Sequence, residues 1–169
     1  MIAWKFLEAG RVGPFSGFRW PVDEWVSAPE GAGEDRWIHA CRPSDLPYWV
    51  PASPTAELWR VELDAPVVAH RWQVASPRAR LLEPVVAWGP AVERELRREC
   101  SAQARRLAAG ASGVEPAVTA QYVQTADTWN AGCGMFALAQ LARTIGGDAA
   151  GDAERARQAR WIAERLELE

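Results

Sequence analysis

The sequence predicts an α+β fold: an N-terminal, mainly antiparallel sheet packed against C-terminal helices. Three observations carry this. Of the 169 residues, 1–88 hold eight of the ten tryptophans and ten of the twelve prolines, while 89–169 are rich in Ala, Arg and Glu. The first half breaks into short alternating runs between turn residues, and the second half repeats apolar residues at helical spacing. Strands first and helices afterwards point to α+β rather than to a βαβ alternation. At this length, with 49% apolar residues, the two halves 1–88 and 89–169 are expected to share one core as one compact domain.

Taken in order, Ala3–Glu8 is strand-like and residues 10–17 (GRVGPFSG) form a loop rich in glycine. Glu24–Ser27 is a short extended piece, and 30–35 is a polar turn. In Arg36–Arg42 the residues Trp37, His39 and Cys41 share one face, with Ile38 and Ala40 on the other. Ser44 is placed to cap a short helical turn, Asp45–Tyr48, which Pro51 and Pro54 end. Leu58–Leu63 alternates again, and Val67–Ala75 and Ala79–Trp88 complete a meander of antiparallel neighbours.

In the second half, Pro90 and Pro116 stand where helices start. Pro90–Ala109 carries Val92, Leu96, Cys100, Ala104 and Leu107 on one stripe, with Gly110 as C-cap. The helix from Pro116 turns Val118 and Tyr122 inward. Asn130 caps a third piece with Met135, Leu138, Ala142 and Ile145 inside, stopped by Gly146-Gly147. Asp152 caps a last helix with the stripe Ala156, Ala159, Ile162 and Leu166.

Composition narrows the function. The net charge is −3 and the pI near 5.5, which disfavours a nucleic-acid partner. The arginines of 94–106 and 155–165 alternate with glutamates, the mark of a solvated, ion-paired helix face. The three cysteines are scattered and lack CxxC spacing, so they read as reduced thiols of a cytoplasmic protein. No apolar run reaches membrane-spanning length, and no membrane partner is expected. GRVGPFSG matches neither GxGxxG before a helix nor a Walker A loop. No cofactor is implied, and no metal site, since structural zinc spacing is missing.

The residues that bear chemistry collect in Trp37–Leu63. His39 and Cys41, on one strand face, have Cβ atoms roughly 7 Å apart, which allows a thiolate activated by imidazole. A third group would have to orient them, for which Asp45 and Glu62 are the candidates. The plainer reading packs the pair in a core with His39 bonded to backbone. The turn that follows offers a cation, a carboxylate, a phenol and an indole in Arg42, Asp45, Tyr48 and Trp49. Rings that supply area beside a few orienting polar groups suit a small-molecule ligand. In the plainer version, Asp45 caps the turn and pairs with Arg42 while the rings cover the sheet edge.

The segments GPFSGFRWP, IHACRPSDLPYW and ELWRVEL, with the tail ERARQARWIAERL, resemble a family of small, uncharacterised actinobacterial Trp-rich proteins. That resemblance implies no reaction.

The expectation is therefore a small-molecule-binding protein, with a pocket between sheet and helices and the capacity for cofactor-free acid/base catalysis. His39 or Asp45 would move the proton, Cys41 and Glu62 would line the site, Arg42 would hold an anionic group, and Tyr48 and Trp49 would stack. The alternative is a non-catalytic interaction module, its Trp-rich face binding a protein partner or making a homodimer.

Overall fold

The computed structural model describes residues 1–168. Seven strands come first: β1 (Ile2–Leu7), β2 (Trp25–Ser27), β3 (Ile38–Ala40), β4 (Glu57–Leu63), β5 (Val68–His70), β6 (Gln73–Ser76) and β7 (Arg78–Pro84). They form a four-stranded sheet ordered β1-β4-β7-β2 and a three-stranded sheet ordered β3-β6-β5, with every ladder antiparallel. The helices α1 (Pro90–Gly110), α2 (Pro116–Thr128) and α3 (Ala131–Leu166) follow. The fold is α+β, as the composition shift at Trp88 predicts.

The two sheets are joined in two places. Only Pro77 separates β6 from β7, so one length of chain turns a corner from sheet to sheet. Ser76 Oγ satisfies the backbone at that corner, lying 2.6 Å from Asp64 O and 2.7 Å from Arg78 O and accepting the Arg78 N–H at 3.1 Å. At the other edge Trp4 and Cys41 exchange both main-chain bonds, at 2.8 and 2.6 Å, as an isolated bridge between β1 and β3. The result is a ring of strands that is complete except beyond this bridge.

Strand alternation then builds two cores from one β-layer. Ala3, Leu7, Val61, Leu63, Val74, Ala79 and Leu81 face the inside of the ring, together with Trp20 and Trp59. Trp4, Phe6, Cys41 and Leu58 face outward against Val92, Leu96 and Cys100 of α1 and Met135, Leu138 and Leu141 of α3. Each fully buried Leu or Met contributes about 1.5–3 kcal/mol.

Several local expectations change. Val67–Ala75 is a hairpin, β5 and β6 joined through Arg71-Trp72, and the Trp72 ring stacks on Tyr48 (centroids 5.0 Å apart, planes at 17°). Ser44 is not the cap of the following turn. Pro43–Tyr48 is a 3-10 turn in which Asp45 reaches back to the Arg42 N–H at 3.0 Å. Gly110 is the last helical residue and Ala111 ends α1 in an extended conformation. Gly147 (φ 76, ψ −173) does interrupt the helix where the Gly146-Gly147 stop was expected, in a conformation open only to glycine, but α3 resumes at once and leaves Asp152 inside it rather than at a cap.

The last part of α3 also buries different residues from those its apolar stripe suggests. Ala159, Ile162 and Leu166 are buried, but Ala156 is exposed, and Glu154, Arg155 and Gln158 are buried in its place. Gln158 Nε2 donates to Met135 O and to Glu154 Oε1, both at 3.0 Å. Arg157 binds Glu154 with two nitrogens at 2.9 Å and Glu99 of α1 at 3.0 Å, so the carboxylate buried with them is fully partnered. Arg155, 8% exposed, sends Nη1 to Pro47 O at 2.8 Å and lays its guanidinium 4.7 Å from the centre of the Tyr48 ring.

Replacing Arg155 removes this link and strands a buried carbonyl. We expect Arg155→Ala to lower unfolding free energy by about 2–4 kcal/mol in urea titrations, with Arg155→Lys recovering less than half.

Candidate functional site

Beyond the Trp4–Cys41 bridge, β1 and β3 part. In a continued antiparallel ladder the next hydrogen-bonded pair would join Phe6 to His39. Instead the His39 carbonyl accepts from Lys5 Nζ at 2.7 Å, and the strands open into a cleft of about 1260 Å³. Its lining includes Lys5, Trp20, Ile38, His39, Ala40 and Cys41, together with Asp35, Arg36, Trp37, Tyr48, Trp49 and Val50. Every lining residue comes from the first half of the chain, between Lys5 and Gln73, rather than from both sheet and helices.

Two loops shape the opening. Residues 10–20 fold back through Gly13 N to Phe18 O (2.8 Å) and Trp20 N to Arg11 O (2.9 Å), and Gly17 takes φ 64 at the bend. Phe15 stands 90% exposed at the lip, and Phe18 meets Trp20 edge to face at 5.6 Å. On the other side, the start of α3 presses on Val50. A Cβ on Gly132 would lie 2.4 Å from Val50 O, so glycine is what lets the helix approach the cleft wall.

Lys5 is the residue that reading the sequence for motifs passes over. It is the only lysine in the chain, set between Trp4 and Phe6 in an otherwise apolar strand. A single cation inside IAWKFL is the signal that was available. Its side chain shares a face with Ala3 and Leu7 and so points into the ring, where Nζ lies 5.5 Å from the centre of the Trp20 ring. Among the described residues no carboxylate lies within ion-pair distance of it. Burial disfavours the ammonium form and pushes the pKa down from 10.5 to about 8. Near neutrality a usable fraction of Lys5 is therefore the free amine.

His39 does line the cleft. Burial lowers its pKa, with Lys5 and His70 nearby adding to the effect against a hydrogen bond to the Asp35 backbone, so the ring is neutral at neutral pH. Its ring centre is 5.8 Å from that of His70, and neither His39 Nδ1 nor His70 Nε2 has a partner among the described residues. Cys41 lines it too, but burial pushes its thiol up to about 12. An uncharged thiol is no nucleophile, so a thiolate activated by His39 is not present here.

Tyr48 and Trp49 reach the cleft, whereas Arg42, Asp45 and Glu62 are not part of its lining. Asp45 is 3% exposed, and both its oxygens are used by Arg42, at 2.7 Å from Nε and 2.9 Å from Nη2. The same guanidinium donates to His70 O at 3.2 Å, so this pair ties the turn to the β5–β6 hairpin. Glu62 pairs with Arg80 on the next strand, away from the cleft. A second depression, about 390 Å³ between α1 and α3, is lined by Leu107, Ala142 and Ile145 with Glu154, Arg157 and Arg160 at its edge. Its charged groups belong largely to the helix-packing network already described.

No group of three or more His, Cys, Asp or Glu residues that could hold a metal ion occurs among the described residues, and no described helix is long and apolar enough to cross a membrane. Comparison with family models, curated proteins and solved structures returned no match.

The shifted lysine has a consequence for stability. Its folded pKa lies below its unfolded one, so the unfolded chain binds more protons between about pH 8 and 10.5 and stability rises with pH across that window. Lys5→Met removes the cost of enclosing the ammonium, and the loss of the donor to His39 O offsets part of that gain. We expect it to be more stable than the parent at pH 7 by about 1–3 kcal/mol, allowing for the lysine's partial access to solvent. The gain should shrink as the pH rises from about 8 to 10.5. Urea titrations across pH read both.

Proposed function

We propose that the protein binds a small, largely apolar molecule in the cleft between β1 and β3 and acts on it by cofactor-free acid/base chemistry. One observation carries this reading: an aromatic-walled cleft is lined by two nitrogen bases, Lys5 and His39, whose pKa values burial lowers. A base serves best when its pKa lies near the working pH, and burial brings the lysine toward that range. Trp20, Trp37, Tyr48 and Trp49 supply ring faces for an apolar ligand. Cys41 acts as an apolar wall residue. Arg42 and Asp45 support the reading indirectly, by holding the turn that carries Tyr48 and Trp49.

The rival reading, an interaction module or homodimer, draws on Phe15 and Phe18, exposed at the lip. The tryptophans give it less support. Trp4, Trp20 and Trp59 are buried, while Trp25 lies against the guanidinium groups of Arg78 and Arg80, and Trp72 against that of Arg71. Sedimentation of the protein with and without Phe15→Ser tests it directly, since a homodimer through the lip would dissociate.

Three tryptophans line the cleft, so ligand binding should change intrinsic fluorescence. In a screen of small aromatic and aliphatic alcohols, ketones and acids, Trp49→Ala is expected to weaken the best binder by about three- to tenfold. Glu62→Gln, outside the cleft, should stay within about twofold. Turnover of any ligand transformed should fall at least about 100-fold in His39→Ala, the usual loss for a missing acid/base group. Equal affinity in Trp49→Ala and the parent would count against the cleft as the binding place.

A further inference from the structure

We propose that Lys5 is a carbonyl-capturing nucleophile, condensing with an aldehyde or ketone seated in the cleft to form a protonated imine. The inference rests on the cleft being a ligand site, as argued above, and deepens it by naming the ligand's reacting group. Four features of the structure lead to it.

First, Lys5 is the chain's only side-chain amine, and it lines the cleft of about 1260 Å³. Second, no carboxylate is within ion-pair distance among the described residues, so nothing locks the nitrogen as ammonium. The pKa of about 8 agrees with that placement. Third, Nζ is aimed. Its one hydrogen bond, 2.7 Å to His39 O, uses a carbonyl freed where the β1–β3 ladder stops. Fourth, the two groups that would steady the product are in place. An iminium nitrogen keeps one N–H, which His39 O can continue to accept, and its positive charge lies near the Trp20 ring face, 5.5 Å from Nζ in the free protein. The neighbouring Cys41 does not compete for the carbonyl, because it stays a thiol.

The step balances without a redox partner. The lone pair of neutral Lys5 Nζ forms a C–N bond to the carbonyl carbon, and the C=O π pair moves to oxygen. Oxygen gains a proton and nitrogen loses one, giving a carbinolamine. The nitrogen lone pair then forms C=N as the hydroxyl leaves with a further proton as water. Overall, a carbonyl compound and an ammonium give an iminium and one water. Water in the open cleft relays the protons and makes the condensation reversible. The iminium withdraws electrons from the adjacent C–H bond, which gives the acid/base reading an electron sink without a cofactor.

The experiment uses a matched pair of probes, 2-naphthaldehyde and 2-naphthylmethanol. The alcohol measures binding alone, by tryptophan fluorescence. The aldehyde with sodium cyanoborohydride turns any imine into a stable secondary amine, located by tandem mass spectrometry of the peptide spanning Met1–Arg11. The Met1 amine, bonded to Leu63 O at 2.9 Å, is the internal reference. We expect the alcohol to bind the parent, and Lys5→Met to lose aldehyde trapping at this position. Aldehyde trapping should modify Lys5 at least about tenfold faster than Met1, with a rate rising through a midpoint near pH 8. If the alcohol binds but Lys5 is labelled no faster than Met1, the imine is overturned and the cleft stands as a binding site. If the alcohol does not bind and Lys5 shows no preference, both readings fall. Labelling of the folded parent decides the matter even if Lys5→Met does not fold.

Discussion

The guanidinium of Arg155 is the contact on which the arrangement of the two halves depends. It leaves the helical layer, crosses to the turn Pro43–Tyr48, takes the Pro47 carbonyl and lies over the Tyr48 ring. Burying a cation costs several kcal/mol unless its donors are used, and here Gln158 Oε1 at 3.2 Å and the ring face complete its surroundings. Burial lowers its pKa, the sign expected of a cation held mainly by neutral partners. Tyr48 in turn stacks on Trp72, and Trp49 Nε1 donates to Trp72 O at 2.7 Å. One charge from α3 thus sets the turn, the turn sets the β5–β6 hairpin, and together they hold one side of the cleft.

The opposite side depends on where a ladder ends. Trp4 and Cys41 pair fully, and immediately beyond them a side-chain ammonium substitutes for a main-chain N–H. A strand that is apolar on both faces has no good position for a charge, yet Lys5 occupies one. The substitution keeps the His39 carbonyl satisfied while the strands separate, so opening the ring does not leave that group stranded. The environment that disfavours the ammonium is also the one that favours the free amine.

The cleft is sparse in charge. Asp45 and Arg42 neutralise one another beneath the turn, Glu62 and Arg80 do so on the sheet, and Cys41 is held as a thiol. What remains in the lining is nitrogen: an amine, an imidazole and the aromatic faces around them. Arg42, which the sequence reading made the anion-holding group, is not among the lining residues. Ion pairs elsewhere, between Arg105 and Asp127 or Arg165 and Glu95, lie on exposed helix faces and add little to stability.

The strand-then-helix order, the α+β class and most of the core were legible in the chain, because alternation and helical periodicity are local properties of consecutive residues. Val92, Leu96, Cys100 and Ala104 could be placed inside from spacing alone. The Trp37–Leu63 stretch could be marked as a place of interest by its residue types, and of its candidates His39, Cys41, Tyr48 and Trp49 reach the cleft. What spacing does not contain is which residues from distant segments meet. Whether Asp45 faces a ligand or Arg42, and whether Glu62 faces the cleft or Arg80, depends on partners supplied by the turn's geometry and by the next strand. Gln158 and Glu154 fall off the apolar stripe and are buried only because Met135 O and Arg157 are there to receive them. Lys5 carries the same lesson: its identity was evident in IAWKFL, but its meaning required the parting of β1 from β3, a contact between residues 34 positions apart.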